Sequence, residues 1–172
     1  MRKFGIIAVL SLLVTALAAV PALAVTDFSN APQGAHFATG FGEPTCTLTD
    51  STVNCTGTEI AGVGNTNATV TLAVTSTFTG TCTNRGGNLV EPFTESATNT
   101  TSTVVTSTKN GRLIIPAQSA TAPSEADFLA TFECPNPNWT ADVTTSDVTF
   151  VYSLTFAGFT EPAILIEGPV TT

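Results

Sequence analysis

From Thr69 to Thr83 every odd position except Ala73 is a threonine, while the even positions read Val70, Leu72, Val74, Ser76, Phe78, Gly80 and Cys82. A repeat of two residues over such a length suits only an extended strand, with one apolar face and one face of hydroxyls. Two further stretches carry the same period. Phe128, Ala130, Phe132 and Cys134 share one face of the first, and Val148, Phe150, Tyr152, Leu154 and Phe156 share one face of the second, opposite Thr149, Ser153 and Thr155. One dry and one wet face is the mark of antiparallel sheets.

Shorter strands are expected at residues 35–41, 45–49, 53–58, 89–93, 101–108, 112–115, 140–144 and 163–166. Turn-forming residues separate most of them, among them Gly42-Glu43-Pro44, Asp50-Ser51, Arg85-Gly86-Gly87-Asn88, Asn110-Gly111 and Ala157-Gly158. The one helical signal is Ser124-Glu125-Ala126-Asp127, where Ser124 caps a single turn. About ten short strands with frequent turns and no linker predict one all-β domain, an antiparallel β-sandwich of immunoglobulin-like, Greek-key type.

The N-terminus has the three parts of a secretory signal: Arg2 and Lys3, an apolar run from Phe4 to Val20, and the small-x-small triplet Ala22-Leu23-Ala24. Cleavage after Ala24 is expected, giving a signal peptide over 1–24 and a single domain over 25–172. The mature protein then carries no membrane anchor and is secreted and extracellular. It keeps three basic residues, Arg85, Lys109 and Arg112, against thirteen acidic ones, so its net charge is 3 − 13 = −10. Such a field repels nucleic acid and anionic bilayers, and neither is expected as a partner.

Four cysteines, Cys46, Cys55, Cys82 and Cys134, all follow the signal, and an even count in an exported chain reads as two disulfides. With Asp50-Ser51 as a two-residue turn, Thr49 faces Thr52 and, counting outward, Cys46 faces Cys55 in a non-hydrogen-bonded pair, close enough to bridge. The remaining bridge joins Cys82 to Cys134 in the core. Metal is disfavoured, since no Cys-x-x-Cys occurs and His36 is the only histidine.

Nothing in the sequence marks a catalytic site. His36 stands alone, no Gly-x-Ser-x-Gly elbow is present, and phosphate loops, dinucleotide glycines and calcium loops are absent. No cofactor is expected and no catalytic residue is assigned. Glu91, Glu95, Asp142 and Asp147 read as solvated carboxylates at strand ends. Tyr152 falls on an inward face with its hydroxyl expected to reach a partner, and Trp139 is expected to pack over the second disulfide. Threonines at every second position would form an ordered array only if matched on neighbouring strands. Four Asn-x-Thr sequons, at Asn54, Asn67, Asn99 and Asn138, point weakly to exposure. The best candidate binding loop is Asn84-Arg85-Gly86-Gly87, where two glycines allow close backbone approach and Arg85 supplies one of the few cations.

The run Cys82-Thr83-Asn84-Arg85-Gly86-Gly87-Asn88, the later Asn110-Gly111-Arg112-Leu113 and the segment Cys134-Pro135-Asn136-Pro137-Asn138-Trp139 resemble secreted proteins of unknown function from actinobacteria. That resemblance implies an exported β domain and carries no activity. The immunoglobulin family proper fits less well, because Trp139 follows Cys134 rather than lying between the cysteines, and Phe132 holds the place of its tyrosine. The expectation is therefore a non-enzymatic domain, either structural or binding an extracellular protein or glycan. The alternative is an extracellular enzyme or enzyme inhibitor acting on cell-wall polysaccharide or protein.

Overall fold

The computed structural model describes residues 22–168; most of the expected signal segment, Met1 to Pro21, lies outside the described residues. The described chain is all-β apart from a 3-10 turn at Phe28–Asn30 and one short helix. Its largest sheet is built on three long strands: β6 (Ala68–Thr83), β7 (Leu89–Val105) and β10 (Thr140–Phe156). Together with β11 (Ile164–Gly168) and β1 (Leu23–Thr26) they run in the order β1-β11-β10-β6-β7, every pair antiparallel. Two three-stranded sheets complete the layers. One contains β2 (His36–Phe37), β5 (Thr58–Ala61) and β8 (Arg112–Ile115), and the other β3 (Cys46–Thr49), β4 (Thr52–Cys55) and β9 (Gln118–Thr121).

The threonine-alternating segment forms β6 as the pattern predicts, with each even position buried and each odd one half-exposed. The first part of its apolar row, Ala68, Val70, Leu72 and Val74, with Phe150, Tyr152, Leu154 and Phe156 of β10 and Ile164 and Ile166 of β11, shares one core with Val53 of β4, Ile60 of β5 and Leu113 and Ile115 of β8. Thus the large sheet and both smaller ones close over a single apolar layer. Val25 and Thr26, the first residues after the expected cleavage, pair with Leu165 and Ile164.

On the wet face the threonines do match across strands. Thr75 and Thr98 hydroxyls lie 2.8 Å apart and those of Thr77 and Ser96 2.9 Å apart, so neighbouring hydroxyls bond to one another.

The Asp50-Ser51 turn sets the expected register, with Cys46 opposite Cys55 and Thr49 opposite Thr52. Their Cα atoms are 4.0 Å apart and bridged, and Cys82 is bridged to Cys134 at 6.0 Å.

Several expectations are corrected. Residues 89–93 and 101–105 belong to one continuous strand, β7, which stops at Val105 and leaves 106–108 outside it, and residues 140–144 and 148–156 belong to another, β10, which a bulge between Val143 and Thr145 bends without breaking. Residues 53–58 divide between β4 and β5, parted at Thr56-Gly57, where a side chain at Gly57 would meet the Ile115 carbonyl. The strand expected over 128–134 is absent: helix α1 (Glu125–Leu129) ends there and a turn follows, in which the Phe132 N–H donates to the Phe128 carbonyl, because Phe128 and Phe132 are four apart and share a helical face as readily as an extended one. Strand β9 carries no clean alternation of apolar residues and gives no strand signal. Tyr152 is fully buried as expected, but its hydroxyl has no hydrogen-bond partner.

Candidate functional site

The long strands extend past the main core, and at their far end a second apolar cluster forms. Three inward residues of β6 there, Ser76, Phe78 and Cys82, have partners in the segment 123–134. Ser76, buried, donates to the Pro123 carbonyl at 2.8 Å. Phe78 stacks on Phe128 with ring centroids 4.5 Å apart, and Cys82 is joined to Cys134. Between them, a Cβ on Gly80 would collide with the Asp142 carbonyl and the Phe93 ring, so only glycine lets β10 and β7 close in at this level. Phe93 and Phe132 lie 4.4 Å apart, and Phe128 and Phe132 4.9 Å apart, completing an aromatic cluster.

Helix α1 is held by a capping box. The Asp127 backbone N–H donates to the Ser124 hydroxyl at 3.1 Å, and the Asp127 carboxylate accepts from the Ser124 hydroxyl at 2.6 Å. The carboxylate also accepts from the Ser124 backbone N–H at 3.3 Å, and the two bonds it accepts, from the hydroxyl first and the backbone second, hold the Asp127 carboxyl below the usual aspartate range.

Beside this cluster opens a cleft of about 370 Å³. Its walls are Phe93, Phe132, Pro92, Pro135, Thr94 and Cys82, and its rim carries the carboxylates of Glu91, Glu95 and Glu133. Glu91 and Glu95 project from the first half of β7, while Glu133 is placed by the chain between α1 and the bridged Cys134. Aromatic and proline surfaces pack against apolar or ring-shaped ligand parts, and carboxylates accept hydrogen bonds from hydroxyl or ammonium donors. Rings and acids in one cleft suit recognition of a sugar or a basic side chain.

The candidate loop Asn84, Arg85, Gly86 and Gly87 forms the tip of the β6–β7 hairpin at the same end of the molecule. Its polar groups serve the turn itself: Asn84 Oδ1 accepts from the backbone of Gly86 at 2.9 Å and of Asn88 at 3.1 Å, and Gly87 N–H donates to the Asn84 carbonyl at 2.9 Å. Gly87 has φ 73°, the left-handed region that favours glycine. Arg85 is exposed and donates to Asn138 Oδ1 at 3.2 Å, tying the hairpin tip to the turn before β10. The loop's polar groups are thus engaged within the turn and with Asn138, and the loop starts two residues beyond Cys82, which lines the cleft.

The other residues singled out in the sequence lie apart. His36 is exposed, with Nδ1 2.8 Å from the carbonyl of Gly34. Trp139 is half-buried and follows the Asn136 turn. The sequon side chains are engaged at Asn54, Asn67, Asn99 and Asn138 by Ser119, Ser107, Thr121 and Arg85. Among the described residues no group of three or more His, Cys, Asp and Glu is placed to hold a metal ion.

Sequence reasoning missed the cleft. The alternation over 128–134 places Phe132 and Glu133 in a strand, and the acidity of Glu91 and Glu95 gains meaning only once α1 turns Phe132 back onto Phe93. A helix cap eight residues before Phe132 was the available signal. Comparison of the chain with protein-family models, with curated proteins and with solved structures finds no match.

Proposed function

We propose that the chain is an exported, non-enzymatic binding domain that receives part of an extracellular protein or glycan in the cleft between β7 and the Phe132–Pro135 segment. The observation that carries this reading is the cleft itself: carboxylates of Glu91, Glu95 and Glu133 around the rings of Phe93 and Phe132, on a base stapled by the Cys82–Cys134 bridge. A stapled site loses little freedom when a ligand docks, which favours binding. Export is supported by the N-terminal signal pattern and by two disulfides, which persist in oxidising compartments. The finer architecture, an immunoglobulin-like Greek-key sandwich, is supported by the core common to the large and small sheets and by the pairing of β6 with the distant β10.

The test is a calorimetric screen of exported protein against glycans, peptidoglycan fragments and Lys- or Arg-rich peptides. Phe132→Ala and Glu133→Gln should each weaken binding at least about tenfold, as loss of an anchor in a ligand site does. Arg85→Ala separates the hairpin tip from the cleft. A ligand bound with unchanged affinity by all three variants removes the site from consideration. Hydrolysis of a glycosidic bond would use two of these carboxylates, one as acid and one as nucleophile or base. Release of product from a wall polymer, abolished by Glu→Gln at one of them, would establish the enzyme instead.

A further inference from the structure

The outer edge of β7 points to an interaction that the cleft does not involve. β7 pairs with β6 over its whole length, from Leu89 opposite Thr83 to Val105 opposite Ala68. On its other side no strand pairs with it among the described residues. Its side chains are exposed on both faces except for buried Val105 and half-buried Phe93, Ala97 and Thr101. Every second peptide unit of a long strand therefore offers its N–H and C=O outward, unpaired by any other strand among the described residues.

Soluble proteins shield such edges with charge, proline or short length. The first half of β7 has such shielding, in Glu91, Pro92 and Glu95, and the opposite edge strand, β1, has only four residues. From Ser96 to Val105 the sequence Ser-Ala-Thr-Asn-Thr-Thr-Ser-Thr-Val-Val contains no charge and no proline. Asn99 Nδ2 donates to the Thr121 carbonyl at 2.9 Å, which fixes this half of the strand against the body of the protein and leaves its edge preformed.

We propose that two copies of the chain pair antiparallel along Ser96–Val105, about a two-fold axis near Thr100, and join their sheets into one. The partner is a second copy because the segment complements itself. Antiparallel self-pairing sets small and hydroxyl side chains opposite one another, as β6 and β7 already do at Thr75–Thr98 and Thr77–Ser96. The charges agree as well. In a protein with thirteen acidic residues, this edge is a stretch where two copies meet without placing like charges opposite. The same arrangement directs the acidic start of one strand, Glu91 and Glu95, toward the turn carrying Lys109 in the other copy.

The test is sedimentation equilibrium of exported protein up to about 1 mM, the range of weak association. It compares the wild type with the double variant Thr100→Lys/Ser102→Lys and with Ile114→Lys. Thr100 and Ser102 lie on the wet face, opposite Ala73 and Thr71, so lysines there spare the core; the charge placed at 100 meets its own copy across the two-fold, and the charge placed at 102 lies diagonal to it. A wild-type dimer is expected, weakened at least about tenfold in the double variant and unchanged in Ile114→Lys, with all three melting alike at concentrations low enough to keep each monomeric. A monomeric wild type overturns the proposal, as does a double variant that dimerises like the wild type. Ligand binding at the cleft should be equal in all three, so this proposal and the cleft stand or fall separately.

Discussion

Tyr152 faces the core between Leu72 and Ile166, and its hydroxyl is buried with no partner. Burial removes the water that would stabilise a phenolate, so its pKa is pushed up to about 12 from 10. The consequence has a definite sign. Below pH 10 both folded and unfolded chains carry the proton and no stability is lost. Between pH 10 and 12 the unfolded chain ionises while the folded one does not, and about 2–3 kcal/mol of stability drains away. Tyr152→Phe removes both the orphaned hydroxyl and this drain. The variant should be about 1 kcal/mol more stable than wild type at neutral pH, and its advantage should widen as pH rises from 10 to 12 in chemical denaturation. A gap that stays constant over that range would contradict the assignment. Alternation along β10 revealed that Tyr152 points inward, but not that the residues around it, Leu72 and Ile166 among them, supply no acceptor, because those neighbours come from strands distant in sequence.

At the scale of elements, the far half of β6 illustrates how a period-two row is adapted where the main core ends. Ser76 and Gly80 look like gaps in an apolar row, yet Ser76 holds the chain entering α1 and Gly80 admits Phe93 and the bulged β10. Gly80→Ala should therefore cost about 1–3 kcal/mol, the range for overpacking a fitted site, even though alanine suits a strand better than glycine does. Denaturant titration measures it, and a neutral or stabilising effect would mean that β10 and β7 shift freely at this level. The long strands themselves were legible, because alternation survives over 69–83 and 148–156. Their continuity was not: Thr144 adds one residue at the bulge and shifts the period, and β7 carries too few apolar side chains to show a face. Around Phe128 the periods of helix and strand coincide, and the Ser124 cap was the better guide. The cleft depends on α1, since without it nothing brings Phe132 and Glu133 to Phe93, and it is therefore not legible from the strand pattern.

Over the whole molecule the two disulfides serve two different bodies. The Cys46–Cys55 bridge spans nine residues inside a hairpin whose turn and register already hold it, and Cys55 belongs to the main core. The Cys82–Cys134 bridge spans fifty-two residues and is the covalent tie between the long strands and the segment that carries α1, Phe132 and Glu133. Chain entropy alone assigns about 2.7 kcal/mol to the shorter loop and about 4 kcal/mol to the longer. Structure adds to that difference, because the far aromatic cluster is small and the main core does not cover it. Mass spectrometry of exported protein should find no free thiol. Cys82→Ala/Cys134→Ala should lower the melting temperature more than Cys46→Ala/Cys55→Ala, by roughly 3–6 °C at about 2–4 °C per kcal/mol. Hydrogen exchange locates the effect. In the first variant, amides of residues 76–83, 89–97 and 125–134 should lose protection while those of residues 68–74 and 150–156 keep it, and any ligand of the cleft should be lost with them. Equal melting of the two variants, or a uniform loss of protection, would show that the far cluster and the main core fold as one unit and that the bridge does not set the cleft.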